Sequence, residues 1–325
     1  MIIGKKLLLL LSALSALALP TAGLTENSWP ERNVKIISPY GPGGPNDLSA
    51  RLLGDLLGKE LGQTFIVENK AGAGTAIGNV TAAKAAGDGY TLLYAAAPYA
   101  TLEALNEKLA YDPRQDLKAV AMTASVPLFL IVNADSPIKN VDDLIALGKS
   151  DSKGLTLGSP GHGSLPHLAM ELLLRDAEVP GVIVQYKGDM PAYTDLLAGR
   201  LDATLTAITS ALPHIKAGKL RVLGVASDQS SDIYPDATPL KELGLPNVVA
   251  SGWYGFMVPS STSENIINKL EQTLDKTLNT PQVRSQLLSQ GMDPQALGQK
   301  EFAAFIEAEM QKWASVIQEA NIKAE

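Results

Sequence analysis

The sequence predicts an α/β protein of two domains, each a mostly parallel sheet flanked by helices, joined by two crossing segments. Three observations carry that expectation. Short β-rich runs alternate with amphipathic helical runs along the chain, the pattern of parallel sheets with helices on their faces. Residues 119–133 and 248–259 are apolar, extended in character and too long for one ordinary strand each, as a crossing and a return between domains would be. The length, 325 residues, exceeds what one core usually organises.

The chain opens MIIGKKLLLLLSALSALALPTAG: two lysines, an apolar run from Leu7 to Leu19, then small residues. This is the three-part layout of a secretory signal peptide, expected over 1–23, and cleavage after Ala18 or near Ala22 fits equally. The run is short for a bilayer span. Beyond it, VKIISPY, TFIVENK and YTLLYAA read as strands of a first domain, assigned to 31–126 plus 253–325. LTLGS, GVIVQYK, ATLTAI and RVLGVAS read as strands of a second, 127–252. Helices are expected over 48–61, 75–86, 141–149, 164–177, 190–199 and 210–218, with 263–278, 281–290 and 300–320 packing back on the first domain. The first helix sets Leu48, Leu52, Leu53, Leu56 and Leu57 on one stripe, and Gly62 follows its end.

Composition narrows the function. There is no cysteine, which excludes a lipid-anchored form, a disulfide scaffold and thiol chemistry. Without Lys5 and Lys6 the chain carries 25 basic against 34 acidic residues, a net charge of −9. That balance argues against nucleic acid or anionic lipid as a partner. It also gives an anionic ligand no long-range attraction, so an anion site must be made locally.

Two strand-to-helix turns are unusually bare. SPYGPGGPND (38–47) and LGSPGHGSLPH (157–167) each set several glycines where a strand hands over to a helix. In open parallel sheets ligands sit beyond the carboxyl ends of strands, where the first helical N–H groups lack internal partners and the helix dipole favours negative charge. Gly41, Gly43 and Gly44 remove side chains that would hold a ligand away, and Asn46 or Asp47 is the expected N-cap. The Asp47 carboxylate would compete with an anion, so it is expected to face its own helix turn. In the second turn Gly158, Gly161 and Gly163 repeat the design. Ser164 is placed to cap a helix with Leu165, Leu168, Ala169, Leu172 and Leu173 on one face. Ser159, Ser164 and His162 can donate to carboxylate oxygens. A tight turn needs glycine with or without a ligand, so the bland reading stays open for either loop alone.

Catalytic and cofactor signals are weaker. GAGTAIG (72–78) has one residue too many for a dinucleotide fingerprint, and no phosphate-loop motif occurs. Neither Ser159 nor Ser164 lies in a GxSxG elbow. His162, His167 and His214 lack metal-ligand spacing. No cofactor, metal or catalytic residue is expected.

The succession YGPGGPNDLSARLLGDLLGKELGQTFIVENKAGAGTAIGN, AAGDGYTLLYA, SPGHGSLPHLAMELL, QYKGDMPAYTDLLAGRLDA, SALPHIKAGKLRVLGVAS and SGWYGFMVP resembles the substrate-binding receptors of tripartite tricarboxylate transporters, the Bug family. The resemblance covers nearly all of the chain after Pro30. It implies a periplasmic, two-domain Venus-flytrap protein, monomeric, that binds a small organic acid and hands it to integral membrane permease subunits without itself entering the membrane. It assigns ligand contacts to Tyr40, Gly43, Gly44 and Asn46 in the first turn and to Ser159, Gly161, His162, Gly163 and Ser164 in the second. Ala97, Lys187, Gly188, Thr206 and Thr209 are implied as selectors of the rest of the ligand. Leu205 and Thr206 stand where many members have an aromatic–Asp pair, which points away from an ammonium-bearing ligand. Two other readings remain at this point: a ligand sensor for a signalling partner, and a secreted serine hydrolase using Ser159 or Ser164.

Overall fold

The computed structural model describes residues 29–105, 108–150 and 152–323; the expected signal peptide lies outside them. Three parallel strands, β1 (Val34–Ser38), β2 (Phe65–Asn69) and β3 (Thr91–Ala96), stand in the order β2-β1-β3. The helices α1 (Pro45–Leu61) and α2 (Ala76–Ala83) connect them, and a short α3 (Leu102–Leu105) follows. The next strand, β4 (Leu117–Asn133), runs 17 residues and is buried along nearly all of them. Its first part pairs antiparallel with β9 (Ser251–Pro259), from Leu117↔Pro259 to Pro127↔Ser251, and β9 in turn pairs antiparallel with β3.

Beyond Pro127 the partners of β4 change. Leu128–Ile131 pair with β7 (Thr204–Ala207) on one side, and Phe129–Asn133 pair with β8 (Leu220–Val225) on the other. Between lie α4 (Val141–Ser150), β5 (Leu155–Ser159), α5 (Leu165–Asp176), β6 (Gly181–Gln185), α6 (Asp189–Leu197) and α7 (Leu212–Lys216). β5 and β6 pair in parallel, and β5 bridges to Ala203 at the foot of β7. The sheets are therefore mixed: parallel in the β1–β3 and β5–β6 parts, antiparallel wherever β4 and β9 take part. Long segments that leave one sheet and return to it run opposite ways, which makes their pairing antiparallel.

The chain closes with α8 (Glu264–Leu278), α9 (Pro281–Ser289), β10 (Asp293–Leu297) and α10 (Gln299–Glu319). β10, DPQAL, pairs with β4 and was not expected from the sequence: it is short, carries a proline and lacks apolar alternation. The N-cap of α1 is Gly44, not Asn46 or Asp47, because Pro45 takes the first helical position, where its missing N–H costs nothing. Leu53 and Leu57 of the α1 stripe are fully buried, whereas Leu48 is exposed. Gly62 ends the helix in the left-handed region, its N–H donating to the Gly58 carbonyl.

α10 lies against β4 and α3 and reaches α5. Its Phe302 is fully buried, meets Trp253 edge-on at 5.4 Å between ring centroids, and fills the space left by Gly255, where a Cβ would come 2.4 Å from Phe302 Cζ. Phe302→Ala should cost about 3–5 kcal/mol of unfolding free energy, read from urea melts. A loss under about 1 kcal/mol would mean that α10 is not held by this contact.

Candidate ligand-binding site

Because β1, β2 and β3 are parallel, the loops that leave their carboxyl ends gather at one edge. A cavity of about 660 Å³ opens there, within the usual size of a small-molecule site. Pro39, Tyr40 and Gly41 line it after β1, residues 71–75 after β2, and Ala97, Pro98 and Thr101 after β3. The loop after β5 contributes His162, Gly163, Ser164 and Leu165. Leu102 and Leu105 add an apolar floor, and Lys323, beyond α10, completes the lining. Residues of both bare turns therefore line one space: Tyr40 and Gly41 of the first, His162, Gly163 and Ser164 of the second.

The turns are built alike in a way the sequence did not reveal. Gly43, at φ 85°, donates its N–H to Asp47 Oδ2 at 2.9 Å. Gly163, at φ 66°, donates its N–H to His167 Nδ1 at 3.0 Å. In both, a buried side chain four residues on closes the turn onto its own helix. The amides of Gly43 and Gly163 are therefore engaged internally. Since His167 Nδ1 accepts, its proton sits on Nε2, which faces Glu171 at 3.6 Å. Gly41, Gly43, Gly44 and Gly161 have open space where a Cβ would stand, which lets a ligand approach the backbone closely.

The first turn is held by a polar network. Asp47 accepts from Arg51 through both oxygens, at 3.1 and 2.8 Å, and from Asn69 Nδ2 at 2.8 Å. Asn69 also donates to the Tyr40 carbonyl at 3.0 Å, fixing the cavity-lining end of the loop. Burial pushes the Asp47 carboxyl up, but the hydrogen bonds from Arg51, the Gly43 N–H and Asn69 outweigh it and hold the group below the ordinary carboxylate range. Burial also raises the Tyr40 phenol, so it stays a neutral hydroxyl.

Other residues singled out from the sequence have internal work. Asn46 is buried and ties strand to strand, accepting from Ser38 Oγ at 2.8 Å and donating to the Tyr94 carbonyl at 3.2 Å. Ser159 and Ser164 both donate to the Gly161 carbonyl, at 3.1 and 2.6 Å, and Ser164 caps α5 by accepting from the His167 N–H. Gly188 donates its N–H to the Pro160 carbonyl at 2.8 Å, and buried Thr206 donates to Asp189 Oδ1 at 2.7 Å. Thr209 packs against Gly291, where a Cβ would come 2.1 Å from its Oγ1. Lys187 is exposed and, with Gly43, Gly44, Asn46, Ser159, Gly161, Gly188, Thr206 and Thr209, is outside the lining of this cavity.

Sequence reasoning missed the wall after β2. Gly72, Ala73, Gly74 and Thr75 all have positive φ, at 132°, 48°, 59° and 88°. For a β-branched threonine that conformation is strained, and strain of this kind collects at ligand walls. Buried Asn79 supports it, donating to Thr75 Oγ1 at 3.3 Å and to the Tyr111 hydroxyl at 3.1 Å. The available signal was the glycine pair of GAGTAIG, judged only against a nucleotide motif.

Comparison with known proteins settles the family. The model of the tripartite tricarboxylate transporter family receptor matches residues 49–322. The chain belongs to this family. Protein BugT of Bordetella pertussis is 34% identical over 319 residues, covering 96% of this chain and 98% of that protein. An R. palustris protein solved with adipate is 29% identical, with a TM-score of 0.72 over 91% of this chain and 99% of its own. MatC from Rhodopseudomonas palustris with bound malate is 30% identical, with a TM-score of 0.68 over 89% of this chain and all of that one. The family consists of solute-binding receptors with the periplasmic binding protein fold, so this chain is a receptor and not an enzyme. The Ser159 and Ser164 hydroxyls both donate to the Gly161 carbonyl, and among the described residues no imidazole engages either.

A carboxyl depressed in the folded state stabilises the fold above its unfolded pKa of about 3.9, and that contribution is lost as pH falls through the folded value. Asp47→Asn should lower the urea midpoint at pH 7 and flatten its decline below about pH 4. Parallel profiles for the two proteins would show that Asp47 does not stabilise the turn.

Proposed function

We propose that this receptor captures a small carboxylate in the periplasm and delivers it to the membrane permease of a tripartite transporter. The observation that carries the reading is the cavity lined jointly by the loops after β1 and β5, at the carboxyl ends of strands belonging to two sheets. The adipate and malate in its structural neighbours support the ligand class. Micromolar capture requires about 8 kcal/mol. Charge-assisted hydrogen bonds contribute roughly 1.5–3 kcal/mol each when well made, so a few suffice after ordering losses.

Residues 31–126 with 253–325 would form one domain and 127–252 the other. A ligand held by both would favour closure, since only a ligand with different affinity for two states shifts their balance. Pro127 offers a flexing point: it stands where β4 changes partners and has no N–H to give to a ladder.

At 1 mM a ligand of micromolar affinity adds about 4 kcal/mol to the folded state, a rise of several degrees in melting temperature. Succinate, malate or adipate should give it in thermal-shift measurements. Gly163→Val, which forces a β-branched residue into the left-handed region beside the cavity, should abolish the shift while leaving the unliganded melt within a few degrees. No response of the parent protein to any mono-, di- or tricarboxylate at 1 mM would defeat the proposal.

A further inference from the structure

Among the described residues that line the cavity, Lys323 is the one that carries a formal charge. The remainder is glycine, alanine, proline, leucine, hydroxyls and His162. Around it lies an acidic protein, and the Gly43 and Gly163 amides that could have supplied positive dipoles already donate to Asp47 and His167. Among the described residues no carboxylate pairs with the Lys323 ammonium.

The backbone of Lys323 is held in place from both sides. At the end of α10 the chain turns at Asn321, φ 51°, and Ile322 buries its side chain and donates its N–H to the Ile317 carbonyl at 3.0 Å. The Lys323 carbonyl lies 3.2 Å from His162 Nε2. A carbonyl can only accept, so His162 is the donor and its proton sits on Nε2. His162 belongs to the loop after β5, so the tail of a helix packed on β4 is fastened to the other wall of the cavity. Arg175 and Glu319 form an ion pair between α5 and α10 nearby.

We infer that Lys323 is a specificity-determining residue that pairs with one carboxylate of a two-carboxylate ligand, so that the site prefers diacids to monoacids. This rests on the carboxylate reading above. A monoacid held by the glycine turns leaves the ammonium to water, whereas a diacid brings it a second anion in a space walled by apolar and hydroxyl groups. Fixed backbone and a flexible four-carbon stem let one lysine meet diacids of different chain length. His162 acts as a positioning residue, through the tail rather than through the ligand.

The test is titration calorimetry on the full protein purified from the periplasm of an expression host, with succinate, malate and adipate against butyrate and hexanoate, at low and high salt. Lys323→Gln should weaken the diacids about tenfold or more and the monoacids less than about twofold, and should reduce the salt dependence of diacid binding. Lys323→Arg should restore most of the diacid affinity, and His162→Ala should lower the diacid preference without removing a lysine. Tight diacid binding by the parent with no change in Lys323→Gln, or an equal loss for diacids and monoacids, would overturn the assignment while leaving the carboxylate reading standing. Failure of the parent to bind any acid would overturn both.

Discussion

The structure hangs on β4. Seventeen residues run the length of the eight-stranded sheet, flanked first by β9 and β10 and then by β7 and β8. Such a strand is paired on both edges and buried on both faces, which explains why its sequence, LKAVAMTASVPLFLIVN, is almost unbroken in its apolar character. β4 joins β7 and β8 to the sheet that holds β1–β3, and β5 bridges from its own two-stranded sheet to Ala203 beside β7, so the loops after β1 and β5 come to one cavity. Tyr40 and Gly41 of the first turn and His162, Gly163 and Ser164 of the second reach the same cavity through this arrangement.

At the turns themselves the deciding constraint is electrostatic. The protein's net charge repels an anion, and backbone dipoles act only within a few ångströms. One would expect every turn amide to be left for the ligand, yet two of them are capped by Asp47 and His167. The caps stabilise positive-φ glycines that would otherwise cost the chain conformational entropy on folding. Each cap rests on further support: Asp47 on Arg51 and Asn69, His167 on its burial against the ring of His162 at 5.0 Å. The geometry of the walls is thus fixed before any ligand arrives, which lowers the ordering cost of binding.

Much of this was legible in the sequence. The alternation of strands and helices, the two long extended segments and the Ser164 cap follow from periodicity and from the capping chemistry of serine. What was not legible depends on distance along the chain. Asn69 reaches Tyr40 and Asp47 across 29 and 22 residues, Thr206 is diverted to Asp189, and Thr209 is drawn to Gly291; none of these pairings leaves a local mark. Local pattern failed at β10 as well, where DPQAL is a strand only because the edge of β4 is there to pair with it. The run of positive φ at 72–75 was hidden for a different reason: Ala73 and Thr75 are residues that avoid that conformation, and only the surrounding packing imposes it.

Magnitudes also indicate which contacts a closing motion could exchange. The β4–β9 ladder is buried and, despite two register shifts, runs from Leu117↔Pro259 to Pro127↔Ser251, so breaking it would expose many paired backbone groups at about 1–3 kcal/mol each. Between α10 and the elements after Pro127 the contacts are mixed: buried apolar residues of α5 and α10, among them Leu168, Leu172, Val316 and Ile317, share one core, while the Arg175–Glu319 ion pair, both partners about half exposed, and the ring-to-carbonyl hydrogen bond from His162 lie at the surface. Exposed ion pairs are worth about 0–1 kcal/mol, so they can be remade at little cost as the walls shift. On the proposed two-domain reading, a closing movement would be absorbed where β4 changes partners at Pro127, with the exposed polar contacts remade and the buried α5–α10 packing kept. On the same reading Lys323 would lie where the two walls of the cavity meet, its carbonyl 3.2 Å from His162 Nε2.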